Sequence, residues 1–227
     1  MGCVDTLKEI LKWAYLVAPS IMLLVLTLSF TYIGQMLLST KSGEPLLNNF
    51  SYSIGGLNLF GHLSKISLVG FIAPAATSSV ILAWLLRSQD TRALETLGVG
   101  VCITALVFLA FLMSPSYVVR IVDMTRTGGG GGLYSFIMLT LEVFVLLYLS
   151  YKWGLVCDVR KISAAFYVAG FLIGATSDLL YAKIGSAIMG GFGVFDGDFM
   201  FPLGFALSAL CFSRMMRRLE KRRLRAS

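Results

Sequence analysis

Three stretches of this chain carry no charged side chain: Trp13 to Thr40, Ile66 to Leu86 and Thr96 to Val119. Each reaches or exceeds the roughly 20 residues that a helix needs to cross the hydrocarbon core of a bilayer. A soluble fold would have to bury all three, and the composition excludes that. The chain is 57% hydrophobic and only 14% charged, where ordinary soluble domains run at about 45–50% and about 25%, and its mean hydropathy is +0.81. It reads as a multi-pass protein of the cell membrane. Apolar windows place helices near 13–36, 66–86, 96–114, 133–151, 162–182 and 199–213. The connections between them are too short for an independent domain of typical size. Residues 1–227 are therefore expected to form one all-α transmembrane bundle of six spans.

Six spans put both termini on one side of the membrane. Fourteen of the 19 Lys and Arg then fall on the terminal side, and Lys41, Lys65, Arg120, Arg126 and Lys183 on the other. The positive-inside rule makes the terminal side cytoplasmic. The first span is longer than a signal-peptide hydrophobic region and no small-residue cleavage pattern follows it, so it is expected to be retained. The densest basic run is the tail at 214–227, with Arg217, Arg218, Lys221, Arg222, Arg223 and Arg225. Basic segments just cytoplasmic of a span are attracted to anionic lipid head groups by about 1 kcal/mol per charge. Lipid contact, and no nucleic acid, is the expected partner; a homo-oligomer or a partner membrane subunit stays open.

Cofactor chemistry finds few ligands. Cys3 and Cys157 fall on the reducing side, Cys102 and Cys211 lie within spans, no CxxC occurs and His62 is the single histidine. Haem, zinc and copper sites need several such ligands, so no cofactor and no metal is expected. His62, in the connection before the second span, reads as an interfacial, solvated side chain. The segment from Thr40 to Lys65 is rich in turn formers and reads as an ordered cap or interfacial hairpin, with a glycosylation sequon at Asn49. Gly128 to Gly132 read as a flexible link, since no Lys-Ser/Thr follows for a phosphate loop. Pro19, Pro74 and Pro202 can kink spans, and the small residues from Ala73 to Ser79 permit close helix contact.

Carboxylates inside spans cost at least about 2.5–3.5 kcal/mol each on insertion scales and face a partner or a water-filled cavity. Glu142 lies mid-way along the fourth span, roughly 14 Å from its start at helical rise. Asp178 stands about one turn inside the end of the fifth, and its spacing to Lys183 is poor for a helical ion pair. Asp196 and Asp198 then appear at the mouth of the sixth, within a glycine-rich segment from Gly190 to Pro202. Antiparallel neighbours joined by a short connection return to similar depth, so Asp178, Asp196 and Asp198 are expected to form one external site. Their mutual repulsion calls for a cation, a proton or an arginine such as Arg120.

Gly174-Ala175-x-x-Asp178-Leu179-Leu180, followed by Gly190-Gly191-x-Gly193-x-Phe195-Asp196-Gly197-x-Phe199, resembles the closing segment of an uncharacterised family of prokaryotic polytopic membrane proteins. That pattern pairs a Gly-Ala-Asp-Leu helix end with Gly-Gly-x-Gly-x-Phe-Asp-Gly; here two residues are inserted before Asp178. The resemblance covers about 30 of 227 residues. It implies an acidic pair of Asp178 and Asp196, and it implies no activity. Gly197-Asp198 through Pro202, with Ser208-Ala209, is similar to the Gly-x-Gly-Asp helix of presenilin-like intramembrane aspartyl proteases. That likeness implies Asp178 and Asp198 as a catalytic pair sharing a proton. Phe195 replaces the first glycine, no Pro-Ala-Leu follows, and charge counting puts both aspartates outside. A retinal protein is a poor fit, because Lys183 is at a helix end. The leading expectation is a transporter or channel for a cation or proton-coupled small solute. Its acidic external vestibule of Asp178, Asp196 and Asp198 leads toward Glu142. The alternatives are the protease and a non-catalytic membrane subunit.

Overall fold

The structure is a computed structural model that describes residues 3–40, 53–59, 62–113, 136–152, 158–182, 188–191 and 193–226. A helix lies in each of the apolar windows. They are α1 (Cys3–Thr40), α2 (Ala73–Arg87), α3 (Thr91–Met113), α4 (Phe136–Lys152), α5 (Val159–Ala182) and α6 (Gly197–Ala226). Among the described residues, three segments are long and apolar enough to cross a membrane: Leu68–Arg87, Val159–Thr176 and Gly197–Leu219. Large apolar side chains cover the outside as well. On α1, Leu11, Tyr15, Met22, Leu26, Phe30 and Ile33 are all exposed. Soluble monomers rarely display so continuous an apolar stripe, and a bilayer supplies the solvent it requires.

The bundle is organised around α5, which touches two apolar clusters. On one side Ile162, Phe166, Ala169 and Ile173 pack with Leu24, Leu146, Leu147, Phe205 and Phe212 of α1, α4 and α6. On the other, Ala165 and Val168 meet Leu85 of α2 with Ala93 and Leu97 of α3. The widest interface joins α5 to α6, and two glycines one turn apart make it possible. A Cβ at Gly170 would stand 2.7 Å from the Phe201 carbonyl oxygen, and one at Gly174 would stand 2.5 Å from Asp198 Oδ1. This is the small-xxx-small device by which helices approach closely in membranes. α1 runs antiparallel to α6: Trp13 meets Phe212 edge to face at 5.5 Å, the Ser208 hydroxyl donates to the Ser20 carbonyl at 3.0 Å, and Phe30 meets Phe195 at 5.5 Å. The start of α1 and the end of α6 therefore share one end of the bundle.

At the opposite end the all-α expectation needs correction. β1 (Ser53–Leu59) pairs antiparallel with β2 (His62–Ser67), and β3 (Ile188–Met189) adds in parallel to β2. The window placed at 66–86 thus opens on strand. Its helix begins as a π-helical turn over Leu68–Ile72, where the Ser67 hydroxyl accepts from the Gly70 N–H at 3.1 Å. At seven and six residues β1 and β2 are too short to span a bilayer, and they satisfy their backbone N–H and C=O groups by pairing with each other. The sixth helix also departs from its window. It continues through the basic tail to Ala226, because its Arg, Lys, Leu and Met residues are strong helix formers.

Candidate functional site

The hairpin end gathers three carboxylates. One oxygen each of Asp178, Asp196 and Asp198 lies within 4.8 Å of the others. Local chemistry places each of them. Asp196 is the N-cap of α6: its Oδ1 accepts the Asp198 N–H at 3.2 Å, and its carbonyl accepts from Met200 at 2.9 Å. Aspartate is among the best residues for that duty. Asp198, in the first turn, gains from the helix dipole. Its side chain turns back onto α5, where glycine at 174 leaves room for it. Asp178 reaches the same place from the last turn of α5 and accepts the Gly190 N–H at Oδ2, 3.0 Å away.

Gly190 ties the sheet to this cluster. Its φ is +69°, a left-handed conformation that glycine takes without a Cβ penalty. Its backbone also abuts Gly70 of the π-helical turn so closely that neither position has room for a side chain. One turn thus both closes the cap and delivers an N–H to Asp178. Among the described residues neither oxygen of Asp198 receives a donor of comparable geometry, although the residue is only 1% exposed. The Gly190 N–H that faces the cluster makes its well-formed bond to Asp178. Three ionised carboxylates at the 4.8 Å limit would repel by about 3.5 kcal/mol per pair at an effective dielectric of about 20. The arrangement is therefore unfavourable without a proton or cation among them.

The remaining expected residues divide. Glu142 on α4 is buried and has a partner, but it lies outside the cluster of three. Its level follows from Gly100 of α3, which faces both Ala169 of α5 and Leu146 of α4. One turn toward the hairpin end, about 6 Å at helical rise, brings α4 to Glu142 and α5 to Ile173, beside the glycine that seats Asp198. Arg120 lies outside the described residues, as do Asn49, Gly128–Gly132 and Lys183, and with them the proposed arginine partner. In the small-residue stripe of α2, Thr77 and Ser79 donate to their own helix, to the carbonyls of Ala73 and Ala75, while Ser78 is buried. That pattern marks helix packing.

At the terminal end of the bundle a pocket of about 420 Å³ is lined by Asp158, Arg160, Arg214 and Arg217 among others. Arg218 and Lys221 are exposed further along α6, and the side chains of Arg222, Arg223 and Arg225 lie outside the described residues. Cys102 and Cys211 are free thiols. Sequence reading missed the Gly170/Gly174 pair, although its four-residue spacing in an apolar segment was visible. No family model, curated protein or solved structure matches this chain.

Proposed function

We propose that the chain is a six-span protein of the cell membrane with cytoplasmic termini, and that it moves a cation or a proton-coupled small solute through an acidic outer site. One observation carries this reading: Asp178, Asp196 and Asp198 converge within 4.8 Å at the end of the bundle away from the basic tail. Such a cluster lowers the energy of a positive charge and disfavours an anion. Glu142, in the layer adjoining Asp198, supplies the next acidic group along α4. Intramembrane ionisable residues commonly mark such routes. The bias of fourteen basic residues against five supports the orientation. Arg217, Arg218 and Lys221, with Arg222, Arg223 and Arg225 beyond them, contact anionic lipid head groups on the cytoplasmic face.

The test is flux into proteoliposomes. Wild-type protein is expected to carry a cation or proton current. Glu142→Gln, which keeps shape and much hydrogen-bonding capacity, is expected to fold and lose at least about tenfold in rate, the effect of roughly 1.4 kcal/mol on a barrier. Full-rate flux by the variant would make Glu142 a structural residue.

A second reading, the intramembrane aspartyl protease, draws on the placement of Asp178 and Asp198 on adjacent helices in one cluster. Two carboxylates sharing a proton are what that chemistry needs. Asp196 as a third member, and the Gly190 turn bonded to Asp178, favour cation binding over a cleft for a peptide. Cleavage of a membrane-embedded peptide that is lost in both Asp178→Asn and Asp198→Asn would reverse this preference.

A further inference from the structure

Asp198 is 1% exposed, and among the described residues its two buried carboxylate oxygens accept no hydrogen bond of good geometry. Its charge is left for a proton shared with Asp178 or for a cation, and a third carboxylate within 4.8 Å favours the cation. The two other carboxylates that approach it are held by independent means, Asp196 as a helix cap and Asp178 through the Gly190 N–H. We infer that Asp178, Asp196 and Asp198 form a binding site for one hard divalent cation such as Ca²⁺. This inference rests on the cation reading of the cluster and names the class of ion.

The spacing brings one oxygen from each carboxylate within 4.8 Å of the others, close enough for the three to converge on a single ion. Class follows from the ligands and their charge. All three are hard carboxylate oxygens, the set that suits Ca²⁺, Mg²⁺ or Mn²⁺ rather than zinc or copper. Three such charges are better offset by two positive charges than by one. The sequence assigned no metal because His and Cys are scarce; an oxygen site has no such requirement.

Equilibrium dialysis of the full chain in detergent, stripped with chelator and then given Ca²⁺ alone, reads the site directly. Wild type is expected to bind one Ca²⁺ per chain. Asp196→Asn and Asp198→Asn should each weaken binding by roughly tenfold or more, as expected when ligand charge is removed, while Glu95→Gln, on the exposed face of α3, leaves it unchanged. A variant that misfolds would also lose the ion, so wild type supplies a second arm: Ca²⁺ raises its melting temperature and chelator reverses the rise. Absence of Ca²⁺ binding to wild type at millimolar concentration, or equal affinity in Asp198→Asn, would overturn the proposal. Stoichiometric Ca²⁺ binding without vesicle flux would keep this site and remove the transport reading; flux without Ca²⁺ binding would do the reverse.

Discussion

Gly174 and Asp198 meet where α5 and α6 come closest, and their contact decides whether the acidic cluster can form. A Cβ at 174 would come within 2.5 Å of Asp198 Oδ1 and 2.9 Å of its Cα. Backbone cannot yield as a side-chain tip does, so Gly174→Ala is expected to lower stability by about 1–3 kcal/mol, the usual cost of overpacking. Gly98 of α3 is the control. Nothing lies within 4 Å of its added Cβ, and alanine there should stabilise the helix by about 0.5–1 kcal/mol. Thermal unfolding of the two variants in one detergent checks both signs. The cluster itself predicts coupling: removing one charge relieves its neighbours, so Asp178→Asn and Asp196→Asn should show an interaction energy above about 0.5 kcal/mol in a double-mutant cycle. Additive effects would mean that the two charges do not interact. The grouping of these aspartates was legible from the return of antiparallel helices to one depth. The abutment of Gly70 on Gly190 was not, because no local pattern records which turn a cap will rest against.

At the level of elements, the terminal end shows how two helix starts are joined. Asp90 caps α3, its Oδ1 accepting from Arg92 and Ala93 at 3.2 and 3.3 Å, and Asp158 caps α5 in the same way through Arg160 and Lys161. Lys161 links the caps, lying 2.6 Å from Asp90 and 3.8 Å from Asp158. The hydrogen bond from Lys161, with the backbone N–H of Ala93, holds the Asp90 carboxyl below its ordinary range against a smaller effect of burial. A depressed folded-state pKa gives stability that is present above the unfolded carboxylate pKa, about 3.9, and lost as pH falls through the folded value. Asp90→Asn keeps the cap and loses the ion pair. It should therefore melt below wild type at pH 7, and the gap should close as pH falls below about 4 and through the depressed folded-state value. A gap that stays constant with pH would assign the effect to capping alone. The helix windows were legible because charge-free runs carry their own length. A hairpin before the second span was one of the two readings of 40–65; the addition of β3 to it was not legible, since that partner lies far along the chain.

Across the whole molecule, α6 connects the two ends that the proposal contrasts. Asp198 opens the helix and Lys221 follows 23 residues later by subtraction of their numbers, about 35 Å at helical rise, enough to cross a hydrocarbon core of about 30 Å. The composition pointed to a membrane chain at once, and the charge bias set the orientation proposed for it. The number of spans and the face reached by the hairpin depend on the bilayer itself. The central claim is that the bundle spans the membrane with its acidic cluster facing out and its basic tail facing in. Side-specific labelling tests it most directly. Single cysteines replace the exposed Asn58 of the hairpin and the exposed Lys221 of the tail in a chain whose four native cysteines are changed to serine. A membrane-impermeant maleimide should label Asn58→Cys in intact cells and Lys221→Cys only after lysis. Labelling of both from the same side would contradict the account.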